Sequence, residues 1–77
     1  MMSMNSNEII GSLNYIGMEL AADAQFLRCL ARPLNLSKAS EAEKADAQVL
    51  FDAADVLDRM AAKANECAST MEVSGNE

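Results

Sequence analysis

Residues 40–70 form the segment SEAEKADAQVLFDAADVLDRMAAKANECAST, which contains no glycine or proline and is rich in alanine. Ser40 followed by Glu43 is a capping box, the pattern that starts a helix. Core positions then recur at alternating intervals of four and three, as on one face of an α-helix. They are Asp46, Leu50, Ala53, Leu57, Met60, Ala64, Cys67 and Met71. We therefore predict helix 2 over about residues 40–70.

A second amphipathic pattern lies upstream of this segment. Asn5 with Glu8 three residues later is a variant of the capping box. The seam that follows consists of Ile9, Leu13, Ile16, Leu20, Leu27 and Leu30, with Asp23 filling the gap. Pro33 disfavours helical geometry for its predecessor and lacks a backbone donor. Helix 1 is therefore expected over about residues 6–32.

The length of 77 residues allows one small domain. Residues 33–39 contain the only proline and no sustained period, so they are expected to connect the helices. Two helices joined by a short connection normally fold back on each other. We predict an all-α fold in which residues 6–70 form an antiparallel two-helix hairpin. Residues 1–5 are expected to be a disordered start, and residues 71–77 a flexible tail.

The two seams also predict a register. If the numbers of facing residues add to about 73, a large side chain meets a small or flexible one at nearly every layer, as Leu20 meets Ala53. Beside each seam runs a line of mostly small residues at intervals of seven. These lines are Ile10, Gly17, Ala24 and Ala31 on helix 1, and Ala47, Ala54, Ala61 and Ala68 on helix 2. Small side chains on both lines would let the backbones approach closely.

Two charged residues, Asp23 and Asp46, interrupt the seams. One hypothesis is a polar patch that receives a basic side chain of a partner or specifies register. The other is that both residues are exposed, Asp46 in the first turn of helix 2 and Asp23 at the edge of helix 1.

Composition argues against several classes of function. The chain has no histidine, the commonest general base and metal ligand, so we expect no enzyme, no metal and no cofactor. Twelve acidic and six basic side chains give a net charge of -6, which disfavours direct binding to nucleic acid. The sequence contains no uncharged apolar run long enough for a membrane span, and no secretory signal is recognised. A cytoplasmic protein is expected.

The two cysteines, Cys29 and Cys67, are predicted to be free thiols. In the predicted register they lie roughly 35 Å apart along the hairpin at 1.5 Å per residue. A disulfide needs Cα atoms within about 7 Å. The two thiols of one chain are therefore not expected to pair.

The outer side of helix 1 is unusually apolar for a surface. It presents Tyr15, Met18, Ala22 and Cys29. A helix that is apolar most of the way round is expected to be covered, and a two-helix core is thin. We therefore predict a homodimer that forms a four-helix bundle. The alternative is that this face is reserved for a different protein.

The outer side of helix 2 is acidic instead. Asp52, Asp55 and Asp58 recur every three residues beside Phe51, and we call these four residues the acidic ridge. One hypothesis is a protein-binding surface for a basic groove, with Phe51 as an aromatic anchor. The other is an ordinary solvated face, with Asp55 supported by Arg59 four residues on.

The expected function is that of a non-enzymatic protein-binding module. At the level of general class, this short, acidic, helical chain without catalytic motifs resembles the small proteins that bacteriophages and mobile elements use against host machinery, including anti-CRISPR proteins. The resemblance implies a small inhibitor or adaptor of a protein partner that the sequence does not identify, with a basic surface if the acidic ridge is the site. Two alternatives stay open: an acidic mimic that occupies the basic groove of a nucleic-acid-binding protein, and a structural or chaperone-like helix pair.

Overall fold

The computed structural model describes residues 5–75, and the side chains of residues 5–73. Helix α1 spans Ser6–Ala31, a turn of 3-10 helix spans Arg32–Asn35, and helix α2 spans Glu41–Gly75. No strand occurs in this part of the chain. The two helices pack against each other, so the predicted all-helical hairpin is confirmed.

Both helices begin where the capping patterns predict. The backbone N–H of Glu8 donates to Asn5 Oδ1 at 2.9 Å and starts α1. At the start of α2, the N–H of Glu43 donates to Ser40 Oγ at 3.1 Å, and the N–H of Ser40 donates to Glu43 Oε1 at 3.0 Å. Two hydrogen bonds with Ser40 lower the pKa of Glu43. The bond to the Ser40 backbone has the larger effect, and the bond to the Ser40 side chain has the smaller one. Local hydrogen bonding therefore fixes both starts.

The helix ends differ from the predicted ones. Helix α1 ends one residue early at Ala31, because the chain tightens into the 3-10 turn that contains Pro33. Helix α2 continues to Gly75 instead of ending near residue 70, so residues 71–75 of the predicted tail are helical. No glycine or proline interrupts α2 before Gly75, and Ala68 is still buried near this end. Residues 76–77 and residues 1–4 of the predicted disordered start lie outside the described residues.

Only small residues are buried between the helices. They are Gly17, Ala24, Ala31, Ala47, Ala54, Ala61 and Ala68. No large side chain is fully buried in the described part of the chain. The line of small residues is thus the contact line, as its spacing of seven suggests. The prediction that the seams form the buried layer is wrong, because small residues allow the closest approach and leave the leucines at the side.

The register is also different from the predicted one. A β-carbon built on Gly17 would lie 3.2 Å from the carbonyl oxygen of Ala61. Gly17 therefore faces Ala61, and facing numbers add to about 78 instead of 73. The reason is the connection: the 3-10 turn carries the chain beyond α1 before it reverses, which moves the centre of the hairpin to about residue 39. The structure measures 57 × 24 × 14 Å, so it is one thin layer of two helices.

Candidate functional site

One side of the hairpin is held by a polar bridge between the helices. Arg28 on α1 donates from Nη2 to Asp58 Oδ2 at 2.5 Å and to Asp55 Oδ1 at 2.9 Å. The Arg28 side chain is only 24% exposed. Its hydrogen bonds to Asp58 and then Asp55 raise the pKa of Arg28 above its ordinary value. We call this side of the layer the bridge side.

The bridge joins two carboxylates of the acidic ridge to α1. Asp55 and Asp58 do not face away from α1 as predicted, and Asp55 pairs with Arg28 in place of Arg59. The third carboxylate, Asp52, is exposed and accepts a hydrogen bond from Gln48 Nε2 at 2.9 Å. Phe51 is half-buried. One guanidinium therefore offsets part of the ridge charge, and its aromatic member is partly used within the hairpin.

The outer side of α1 is exposed, as predicted. Tyr15 is 59% exposed and Met18 is 63% exposed, and Ala22 and Cys29 also lie at the surface. Phe26, which the sequence analysis did not single out, joins them at 63% exposure. A helical projection places it beside Ala22, because the two are four residues apart. We call these five residues the α1 outer face.

A shallow open groove lies at the N-terminal end of this face. Its walls are formed by Glu8, Gly11, Ser12, Tyr15 and Ile16. All five belong to one helix, so the groove is a gap between side chains on a convex surface. It adds a place where an apolar side chain of a partner could lie beside Tyr15.

A second apolar surface covers the side of the layer opposite the bridge. We call it the leucine face, and it consists of the former seam residues Ile9, Leu13, Ile16, Leu20, Leu27, Leu30, Leu50, Ala53, Leu57, Met60, Ala64, Cys67 and Met71. The leucines in the valley between the helices are half-buried, whereas Met60 is 51% exposed and Ile16 is 47% exposed. Both helices contribute residues to the leucine face over most of their length. These residues form the seams that the sequence predicts to lie inside the hairpin.

The carboxylates Asp23 and Asp46 share the lines of the leucine face, and both are exposed. Asp46 is exposed, as the second hypothesis expects, but it lies in the second turn of α2 instead of the first. Asp23 lies midway along α1, between Ile16 and Leu30 on the same line. Among residues 5–73, it is therefore the only charge in the middle of the leucine face.

Both cysteines are free and exposed, on different sides of the molecule. Cys29 belongs to the α1 outer face and Cys67 to the leucine face. Within the described residues, no group of three or more cysteine, aspartate or glutamate side chains is placed to hold a metal ion. Neither of the two helices in that part of the chain is both long and apolar enough to cross a membrane.

No protein-family model matches the chain, and no curated protein and no solved structure matches it either.

Proposed function

We propose that this protein is a non-enzymatic protein-binding module that acts as a small inhibitor or adaptor. One observation carries the proposal. The hairpin buries only alanine and glycine between its helices, while the large apolar side chains of the described residues remain partly or mostly exposed. Contiguous apolar surface of this kind marks interaction sites. The hairpin therefore leaves apolar surface exposed that a protein partner could cover.

The proposal includes a homodimer that forms a four-helix bundle. A single layer of two helices leaves both of its broad sides open to solvent. A single hydrophobic core of this size rarely supplies more than a few kcal/mol, and association is one way in which small domains gain further stability. A second hairpin laid against the first supplies it.

The biological role follows from the class that the chain resembles. We propose that the protein blocks or recruits a host protein, in the manner of the small proteins of bacteriophages and mobile elements, and that it acts in the cytoplasm. Two exposed free thiols fit a reducing compartment. The α1 outer face is the favoured binding surface for the target, because Tyr15, Met18 and Phe26 provide large exposed side chains of the types enriched at binding sites.

Mimicry of nucleic acid by the acidic ridge is the weaker proposal. It requires carboxylates that replace phosphates, and Arg28 already occupies two of them. The structural or chaperone-like helix pair makes a third proposal, which predicts that a partner becomes insoluble when this protein is absent.

Affinity capture at two salt concentrations tests these proposals. The wild-type chain and the variants Met18→Glu and Asp52→Lys serve as baits in a bacterial lysate. The leading proposal expects one partner that survives high salt, is lost with Met18→Glu and is kept with Asp52→Lys. A partner lost at high salt and with Asp52→Lys would support mimicry, because such binding is electrostatic. No partner under either condition would contradict both.

A further inference from the structure

Nothing in the described part of the hairpin covers the leucine face. We infer that a second copy of this chain covers the leucine face, so that this face, and not the α1 outer face, is the dimer interface. The inference rests on the proposed homodimer and assigns its surface. The α1 outer face then stays free for the target protein.

The leucine face is large enough to form a stable interface. It occupies one broad side of a layer that measures 57 × 24 × 14 Å. A stable interface buries about 800 Å² on each partner. The broad side is large enough for such an interface, whereas the α1 outer face is a convex strip on a single helix. Two hairpins that meet through broad sides form four helices around a common core.

Large and small side chains both occur on the leucine face. Helix α1 contributes leucine and isoleucine, whereas α2 combines Leu50 and Leu57 with small residues at Ala53 and Ala64. A two-fold axis that runs parallel to the helices places α1 of one copy above α2 of the other. In the register set by Gly17 and Ala61, Leu13 of one copy then lies near Ala64 of its partner. Leu13 therefore meets a small residue, Leu20 and Leu27 meet leucines of the partner, and every neighbouring pair of helices is antiparallel.

Asp23 occupies a special position in this arrangement. The same arrangement places Asp23 of one copy near Ala53 of its partner, where a small side chain leaves room for the carboxylate to keep water. A charge in the middle of an apolar interface weakens association. Asp23 is therefore expected to hold the dimer in a reversible range, as a polar residue in a coiled-coil seam does. This role predicts a variant that strengthens the dimer.

Sedimentation equilibrium on the full chain tests the inference with matched pairs. Asp23→Leu is expected to lower the dimer dissociation constant by about tenfold or more, because it removes the charge from the interface. Asp52→Leu makes the same chemical change on the acidic ridge and is expected to leave that constant unchanged. Met60→Glu is expected to give monomers, whereas Met18→Glu, the same change on the α1 outer face, is expected to stay dimeric. Circular dichroism checks that each variant remains helical.

The native cysteines provide a readout that needs no variant. Alkylation of Cys67 is expected to slow as the protein concentration rises through the dimer range, while alkylation of Cys29 keeps its rate. The opposite pattern, with Met18→Glu monomeric and Met60→Glu dimeric, would preserve the proposed dimer and overturn the leucine face as its interface. Monomers at every concentration for both the wild-type chain and Asp23→Leu would overturn the inference and the proposed dimer together.

Discussion

Gly17 faces Ala61 so closely that a β-carbon on Gly17 would lie 3.2 Å from the Ala61 carbonyl oxygen and 2.5 Å from Asn65 Oδ1. This is the point at which the sequence uses the smallest residue in a line of alanines. Glycine in a helix interior costs stability relative to alanine. The close approach of α2 explains why a residue with that cost occupies the position.

The other glycine of α1 makes a matched control for this contact. A β-carbon on Gly11 would meet no neighbouring atom within 4 Å. Gly11→Leu is therefore expected to stabilise the fold by about 0.5–1 kcal/mol through helix propensity. Gly17→Leu is expected to destabilise it by about 1–3 kcal/mol, because the side chain overpacks the contact with Ala61. Urea unfolding at one protein concentration measures both, and equal effects of the two variants would reject the register.

The Arg28 bridge predicts that the members of the acidic ridge are unequal. Asp58→Lys is expected to lower the thermal midpoint by a few degrees, because it places a second cation beside Arg28. Asp52→Lys makes the same change in net charge but removes a hydrogen bond to Gln48 within α2 and no bond to Arg28, so its midpoint is expected to stay near that of the wild type. The difference should shrink as salt rises. Two equal midpoints at low salt would show that the bridge does not contribute.

The capping box of α2 predicts a dependence on pH. The pKa of Glu43 is lowered in the folded chain, so its charged form stabilises the fold above the unfolded pKa and this stabilisation disappears as pH falls through the folded pKa. Glu43→Gln keeps a side chain that can complete the box but cannot titrate. The wild type is expected to have the higher thermal midpoint at neutral pH, and the gap is expected to close in acid below about pH 4. A gap that stays constant from neutral to acid would exclude a role for the Glu43 charge.

The features that were predictable from sequence are local ones. The starts of both helices rest on side chains three residues apart, Asn5 with Glu8 and Ser40 with Glu43, and the structure forms both sets of hydrogen bonds. The small residues spaced by seven also pointed to a close contact. Each of these patterns contains its own geometric requirement, so no knowledge of the partner helix is needed.

The features that failed depend on how one helix lies on the other. The leucine seam and the alanine line have compatible periods, and hydrophobicity alone favours burying the leucines. The distance between the backbones decides for the alanines instead, as Gly17 and Ala61 show. The Arg28 bridge was not predicted, for the same reason. Asp55 and Asp58 come within reach of Arg28 in the register that the 3-10 turn produces. The predicted end of α2 is too early, because it follows from the polar composition of residues 72–77, although no helix-breaking residue lies in α2 before Gly75.

The register can be measured directly between the two native cysteines. Facing numbers that add to about 78 place Cys29 level with about residue 49, which is roughly 27 Å along the hairpin from Cys67 at 1.5 Å per residue. The register first predicted from sequence would give roughly 35 Å. Both thiols are free and exposed, so each accepts a nitroxide label without mutation.

Electron–electron double resonance on the labelled chain is expected to give the shorter distance. Labelled chains are diluted in an excess of the variant Cys29→Ser/Cys67→Ser, which removes distances between copies if the protein is dimeric. Labels of the same kind extend both alternatives equally, so the difference of about 8 Å between the registers is retained. A distance that matches the longer alternative would mean that Gly17 does not face Ala61, and the assignment of the leucine face would have to be revised with it.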